Sequence, residues 1–165
     1  MEKLLKWLEV PIHLLLWVSL AAGFLMMMHV SVDVAGRTIF NRPLAGTTEI
    51  VAAYYMVAAA YLPWAWVARN DGHIRAELFA RIGSARFHYW LDVAVKFFTI
   101  VYLSVFTWQT AVRAVQQFHA GEAWQASGGY LAVWPSRWVL PLAGGLMVVY
   151  LVLRVISDLS RERRS

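Results

Sequence analysis

Apolar residues run almost unbroken through four stretches of this chain, at about Val10–Val32, Thr47–Ala68, Tyr89–Val112 and Pro135–Ser157, and polar residues gather between them. A helical membrane crossing takes roughly 20 apolar residues, so each stretch predicts one transmembrane helix. Residues 1–10 read as an amphipathic start, with Trp7 as an interfacial anchor and Pro11 near the entry. Lys3, Lys6 and the Ser19-Leu20-Ala21 triplet have the outline of a cleavable leader. The apolar run continues through Phe24-Leu-Met-Met-Met28, however, whereas the core of a cleaved leader ends after about 7–15 residues. The first span is therefore expected to stay attached.

The pattern changes in the connections. Ile74, Leu78, Phe79 and Ile82 fall on one helical face, with Arg75, Glu77 and Arg81 on the other. This predicts a short amphipathic helix over His73–Ile82, lying in the membrane interface between spans two and three. Pro63 is expected to kink or end the second span. The third helix is expected to outlast the bilayer through Arg113, Gln116 and Gln117 and to stop at Gly121. Ala126-Ser-Gly-Gly129 reads as a loop, and Trp134-Pro135-Ser136 as the opening of the fourth helix, where Pro is accepted in the first turn. Pro141 and Gly144-Gly145 follow inside that helix, and small residues there permit close helix packing.

Composition agrees with the pattern. Of 165 residues, 60% are hydrophobic and 15% charged, with a mean hydropathy of +0.52; soluble domains are about 45–50% apolar and about 25% charged. The fold class expected is an all-α integral membrane protein, one membrane domain over residues 1–165. The absence of cysteine removes disulfides, thiolate metal sites, iron–sulfur ligation and thiol catalysis.

The net charge of +5 is an orientation signal rather than a nucleic-acid footprint. Lys3, Lys6, Arg69, Arg75, Arg81, Arg86, Arg154, Arg161, Arg163 and Arg164 fall on one side of the four spans, against Arg37, Arg42, Arg113 and Arg137 on the other. Basic residues favour the cytoplasmic side, so both termini and the second connection are expected there. Lys96 lies inside a span, where it pairs with Asp92 at i, i+4 and snorkels to the headgroups. Most of the nine tryptophans lie near span ends, as an aromatic belt does.

The connection between the first two spans is the densest in chemistry. Asp33, Arg37, Asn41, Pro43, Gly46 and Glu49 crowd into 17 residues, Asp33 to Glu49, and ionised groups beside a bilayer are costly unless paired or wetted. Asp33 and Arg37 share a face if the first helix continues, Asn41-x-Pro43 ends that helix, and Glu49 falls in the first turn of the next, where the helix dipole favours an acid. Two readings stand side by side: a capped, wet loop, or an Asp33–Arg37–Glu49 network that fixes the hairpin and shares its charges with a partner.

Transport sites sit near the bilayer midplane on broken helices within repeated halves. Here the midplanes fall near Ala22, Ala58, Val101 and Leu146, no charged residue lies within about a turn of any of them, and no internal repeat is visible. His13 and His29 lie 16 residues apart, near opposite membrane faces, while His73, His88 and His119 sit at loops or helix ends. That argues against haem, and no spacing supports a metal site. No cofactor is expected. These features describe a subunit rather than a self-sufficient machine.

Asp33-Val34, Arg37, Phe40-Asn41, Pro43, Gly46 and Glu49, together with His73-Ile74 followed by the acid Glu77, resemble the pattern of the DctQ family, the small membrane subunits of TRAP (tripartite ATP-independent periplasmic) transporters. Pro135 and Pro141-x-x-Gly144 fit more loosely. Thr38 stands where an aromatic is usual, and Glu77 where Asp is commoner. The resemblance implies a multi-pass subunit of the bacterial inner membrane in a sodium-driven importer of organic acids. A periplasmic solute-binding protein captures the solute there, and a large elevator-type membrane subunit carries the substrate and sodium sites. This chain would be a non-enzymatic scaffold. Asp33, Arg37, Asn41, Pro43, Glu49, His73, Pro141 and Gly144 are its candidate structural and interface residues. The alternative is a self-contained, oligomeric proton- or cation-coupled transporter that uses Glu49; a cytochrome-like redox subunit is a third reading.

Overall fold

A computed structural model describes the backbone of residues 2–70 and 85–162 and the side chains of residues 7–70 and 94–157. The expected interfacial helix His73–Ile82, and with it His73 and Glu77, lies outside the described residues, as does the side chain of Asp92.

The protein is mostly helical, and four of its helical stretches are long and apolar enough to cross a membrane: Trp7–Ile39, Thr47–Arg69, Ala94–Ala120 and Trp134–Ser157. Helix α1 (Glu2–Ile39) has 38 residues, about 57 Å at 1.5 Å per residue. It therefore carries Asp33 and Arg37 on a helical extension past the apolar run. The second crossing is segmented into α2 (Thr47–Ile50), one wide π-type turn (Val51–Tyr55), α3 (Met56–Tyr61) and α4 (Trp64–Arg69). Helix α5 (Ala85–Ala120) includes the third crossing. A short 3₁₀ turn (Trp134–Trp138) leads into α6 (Val139–Glu162).

Two differences from the sequence pattern stand out. The third connection is a two-stranded antiparallel hairpin, β1 (Ala123–Ala126) and β2 (Gly129–Ala132), with Ser127-Gly128 at its tip. Among the described residues the fold is thus helical with one small sheet. The fourth crossing opens with a tighter turn than an α-helix, and Pro135 sits near its start, where a missing N–H costs nothing.

Helix α6 touches α5, α1 and both halves of the broken second crossing. The core forms where all four spans meet, from Ile12, Ala65, Ala68, Leu103, Met147 and Tyr150. Two small-residue contacts make close approach possible. Ala65 and Ala68 are almost wholly buried. At Gly144 a Cβ would stand 2.5 Å from Thr107 Oγ1, so glycine lets α6 press against α5 there. The outward faces remain apolar and exposed, with Trp17, Phe24, Phe98, Tyr102 and Trp108 among them. Contiguous apolar exposure on this scale belongs in lipid or against a partner.

Pro63 interrupts the second crossing, as its missing amide requires. A residue at this position would normally donate its N–H to the Ala59 carbonyl one turn earlier. The Ser19 hydroxyl of α1, itself buried, donates to that carbonyl at 3.1 Å. In hydrocarbon, no water is available for an orphaned backbone group. One side chain thus repairs the break and ties α1 to α3. We expect Ser19→Ala to cost about 0.6–1.7 kcal/mol, the span measured for hydrogen bonds between membrane helices, in unfolding from mixed micelles. In a Pro63→Ala background, where the new N–H takes the carbonyl, the same substitution should be nearly neutral.

Candidate functional site

The ion pairs of the described residues lie at the two ends of the bundle. At one end the hairpin between α1 and α2 is built on Asp33. Its Oδ1 accepts the Leu44 backbone N–H at 2.8 Å, and its Oδ2 accepts Arg37 Nε and a terminal guanidinium nitrogen, each at 2.9 Å. Asp33 side-chain exposure is 6%, against 55% for Arg37. The carboxylate is therefore the internal post of the hairpin, and the guanidinium keeps a free side facing outward.

The turn follows from its residues. Asn41 adopts a left-handed backbone (φ 52°), which asparagine tolerates better than most residues. The Phe40 and Arg42 N–H groups both bond to the Gly36 carbonyl at 3.1 Å. A Cβ on Gly36 would lie 2.8 Å from the Arg42 carbonyl oxygen, so only glycine admits this return of the chain. Pro43 is exposed and leads to the bonded Leu44. Glu49 stands half-exposed in the first turn of α2 and makes no hydrogen bond or ion pair among the described residues. The structure thus joins Asp33 and Arg37 but leaves Glu49 out of that network.

The strand hairpin packs onto this turn. Gly46 (φ 78°) donates its N–H to Ser127 Oγ at 3.0 Å, Gly128 lies against Ala45, and the Tyr54 hydroxyl donates to the Ala132 carbonyl at 2.6 Å. Glu122 locks the base. Gly121 (φ 63°) ends α5 in the left-handed conformation; Glu122 N–H bonds the Gln117 carbonyl and Gly121 N–H that of Phe118, the Schellman arrangement. The Glu122 carbonyl accepts from Val133 and Trp134, while its carboxylate accepts Arg137 Nε and a terminal nitrogen at 3.0 and 2.8 Å. Those Arg137 hydrogen bonds hold the Glu122 carboxyl below its ordinary value, against the opposing effect of burial.

The sequence pattern singled out neither Glu122–Arg137 nor the strand pair. The signal was present: short apolar and polar residues flank Ser127-Gly128, a two-residue turn pair between potential strands. At the opposite end of the bundle, Arg69 pairs with Glu9 at 3.0 Å and lies 3.4 Å from His13 Nε2. Arg154 donates to the Ala68 and Arg69 carbonyls at 3.4 and 3.3 Å, where the second crossing ends. His29 packs edge-on against Tyr55. No group of three or more potential metal ligands converges among the described residues. Pro141 lies in the first turns of α6, and Gly144 faces Thr107.

Among the described residues the arrangement organises backbone and surface. The family model described as "Tripartite ATP-independent periplasmic transporters, DctQ component" matches residues 26–161. That span includes the Asp33 hairpin, the strand hairpin and all of α6 but its final residue. No curated protein and no solved structure matches.

Two outcomes follow from this geometry. Arg37→Ala should cost about 1 kcal/mol or less, as exposed ion pairs do, whereas Asp33→Ala strands both the Leu44 amide and Arg37 and should cost distinctly more, read as detergent thermal melts. Because the Glu122 carboxyl is lowered, its stabilisation is full above the ordinary glutamate range and is lost as pH falls through the lowered folded value. Melting temperature should therefore drop on acidification below about pH 4.5, and Glu122→Gln should shrink that drop.

Proposed function

The chain belongs to the DctQ component family of tripartite ATP-independent periplasmic transporters, and from that membership we propose that it is the non-catalytic scaffold of a sodium-driven importer of organic acids. Membership makes it a small subunit of such a system, whose other parts are a large membrane subunit and a solute-binding protein. In our reading its spans pack on the large subunit, and its outer end helps dock the solute-binding protein. Substrate and sodium pass through the large subunit.

The observation that carries this reading is the division of chemistry. The charged side chains described sit at the ends of the bundle, and their bonds go to backbone groups and to one another. The middle of the spans holds no charged residue, where a transport site would need coordinating groups. The basic-residue asymmetry supports termini on the cytoplasmic side of the inner membrane, and in that orientation the Asp33 and Glu122 hairpins would face the periplasm. Arg37, Asn41 and Pro43 are exposed at that end, and Glu49, at the start of the second crossing, is half-exposed.

Glu49 is also the one feature that favours a self-contained proton- or cation-coupled transporter, since a carboxylate without an internal partner at a span terminus is available to a cation. Two experiments separate the readings. Expressed with the large membrane subunit, this chain should co-elute with it in mild detergent; elution alone sinks the scaffold reading. In liposomes the isolated chain should move no solute; flux abolished by Glu49→Gln would establish the rival. In the co-purification, Arg37→Ala should lower recovered complex by up to about fivefold, the upper range for a partly exposed ion pair, and Arg42→Ala by less. Equal losses would deny the Asp33-anchored guanidinium a specific role.

A further inference from the structure

The third crossing, on α5, is the least apolar of the four and also the least covered by the rest of the protein. Lipid as the only cover would favour the opposite, because hydrocarbon leaves an exposed polar group without a partner. The other crossings follow that rule. Every exposed residue of α1 from Leu14 to Val30 is apolar, those of the second crossing between Glu49 and Arg69 are Met56 and Ala60, and those of α6 from Val139 to Ser157 are Leu142, Val149 and Ile156. Helix α5 breaks it. Ser104 and Gln109 are exposed and make no hydrogen bond among the described residues, whereas the Thr99 and Thr110 hydroxyls bond back to carbonyls of their own helix.

Both polar groups lie deep. Thr107 meets Gly144, and Gly144 follows Trp134, where the fourth crossing begins, by ten residues. Ser104 and Gln109 stand three residues before and two after Thr107, so about 4.5 and 3 Å from that level. Helical side chains lean toward the N-terminus, which carries the Gln109 amide deeper, away from the nearer rim. Between the two runs an apolar seam. Val101, Val105, Trp108 and Val112 recur at intervals of four, three and four residues, the spacing at which one helix packs along another; the first three are exposed and Val112 is half-buried. At about 100° per residue, Ser104 and Gln109 fall on opposite sides of this seam. Intervals of three and four line any exposed helix face. The flanks are what distinguish this one, since membrane helices use Ser and Gln side chains to bond to one another.

We propose that this face of α5 is the seam on which a transmembrane helix of the large membrane subunit docks, with small residues opposite Trp108 and hydrogen-bonding side chains opposite Ser104 and Gln109. The outward face of α1 is left to lipid. The proposal rests on the scaffold reading and adds which helix carries the contact. A second copy of this chain does not suit the seam. In a two-fold pair the same surface meets itself, so two Trp108 rings would compete for one space, where close approach of membrane helices calls for small residues.

The cysteine-free sequence allows single labels. Val105→Cys on the seam and Leu20→Cys on α1 are each labelled with a nitrobenzoxadiazole fluorophore in the full chain. Each is reconstituted in phosphatidylcholine vesicles carrying nitroxide acyl chains, alone and in complex with the large membrane subunit. Alone, lipid should quench both labels. In the complex, quenching at position 105 should fall severalfold and quenching at position 20 should be unchanged. A label at 105 that blocks co-elution, when one at 20 does not, reports the same contact. Unlabelled Gln109→Leu should lower recovered complex about threefold, the worth of one hydrogen bond between membrane helices, although it makes the span more apolar. Quenching at 105 that persists in a co-eluting complex overturns the seam and leaves the scaffold reading standing. Shielding at 20 as well as 105 overturns the choice of α5, shielding of 105 in the isolated chain makes a second copy the occupant, and full recovery with Gln109→Leu removes the hydrogen-bonded flank. Failure of the parent chain to co-elute at all sinks the scaffold reading itself.

Discussion

Hydrocarbon offers no hydrogen bonds, and this constraint governs the whole molecule. Every N–H and C=O that a helix leaves unmet must find a partner within the protein. At four of the described departures from an uninterrupted helix, a specific group of the protein meets the freed backbone. Ser19 answers the carbonyl that Pro63 frees. Asp33 answers the Leu44 amide after α1 ends. Arg154 answers the last carbonyls of the second crossing. The Glu122 backbone carbonyl answers Val133 and Trp134 as the chain turns into its fourth crossing. Ser19, Asp33 and Arg154 are spent on this work.

The same economy explains the character of the end that carries the two hairpins. Carboxylates serve as internal posts, each gripped by an arginine that is itself partly exposed: Asp33 by Arg37, and Glu122 by Arg137. The acid is consumed by structure, and the base shows its outer side to whatever lies beyond. Packing between spans uses small residues instead, with Ala65, Ala68 and Gly144 at the closest approaches. Such a unit is held together by backbone satisfaction and close contact, and its apolar exterior is left for lipid and for neighbouring subunits.

Much of this was legible in the residues. Four runs of the right length gave four crossings, because hydrophobic length is a direct physical requirement. Pro63 announced its break, Gly121 its helix end, and the i, i+4 spacing of Asp33 and Arg37 their pairing. What stayed hidden depends on neighbours distant in sequence. Ser19 has no local sign of being a repair, since the carbonyl it serves belongs to another helix. The strands are four residues each, too short for alternation to stand out, and they are supported by Tyr54 and Gly46 from elsewhere in the chain. Proximity in sequence leaves open whether Glu49 joins Asp33 and Arg37; in the fold it stands in the first turn of α2, outside the bonds that Asp33 makes.

The strand hairpin also has a mechanical meaning. Its tip is bonded to Gly46 and its returning strand to Tyr54, so the connection between the last two spans is stitched to the connection between the first two. At this rim the four spans are linked through their connections. A push on Tyr130, which stands almost fully in the open, is thereby delivered to the foot of the second crossing, and none of the four rods can lean outward at that rim by itself.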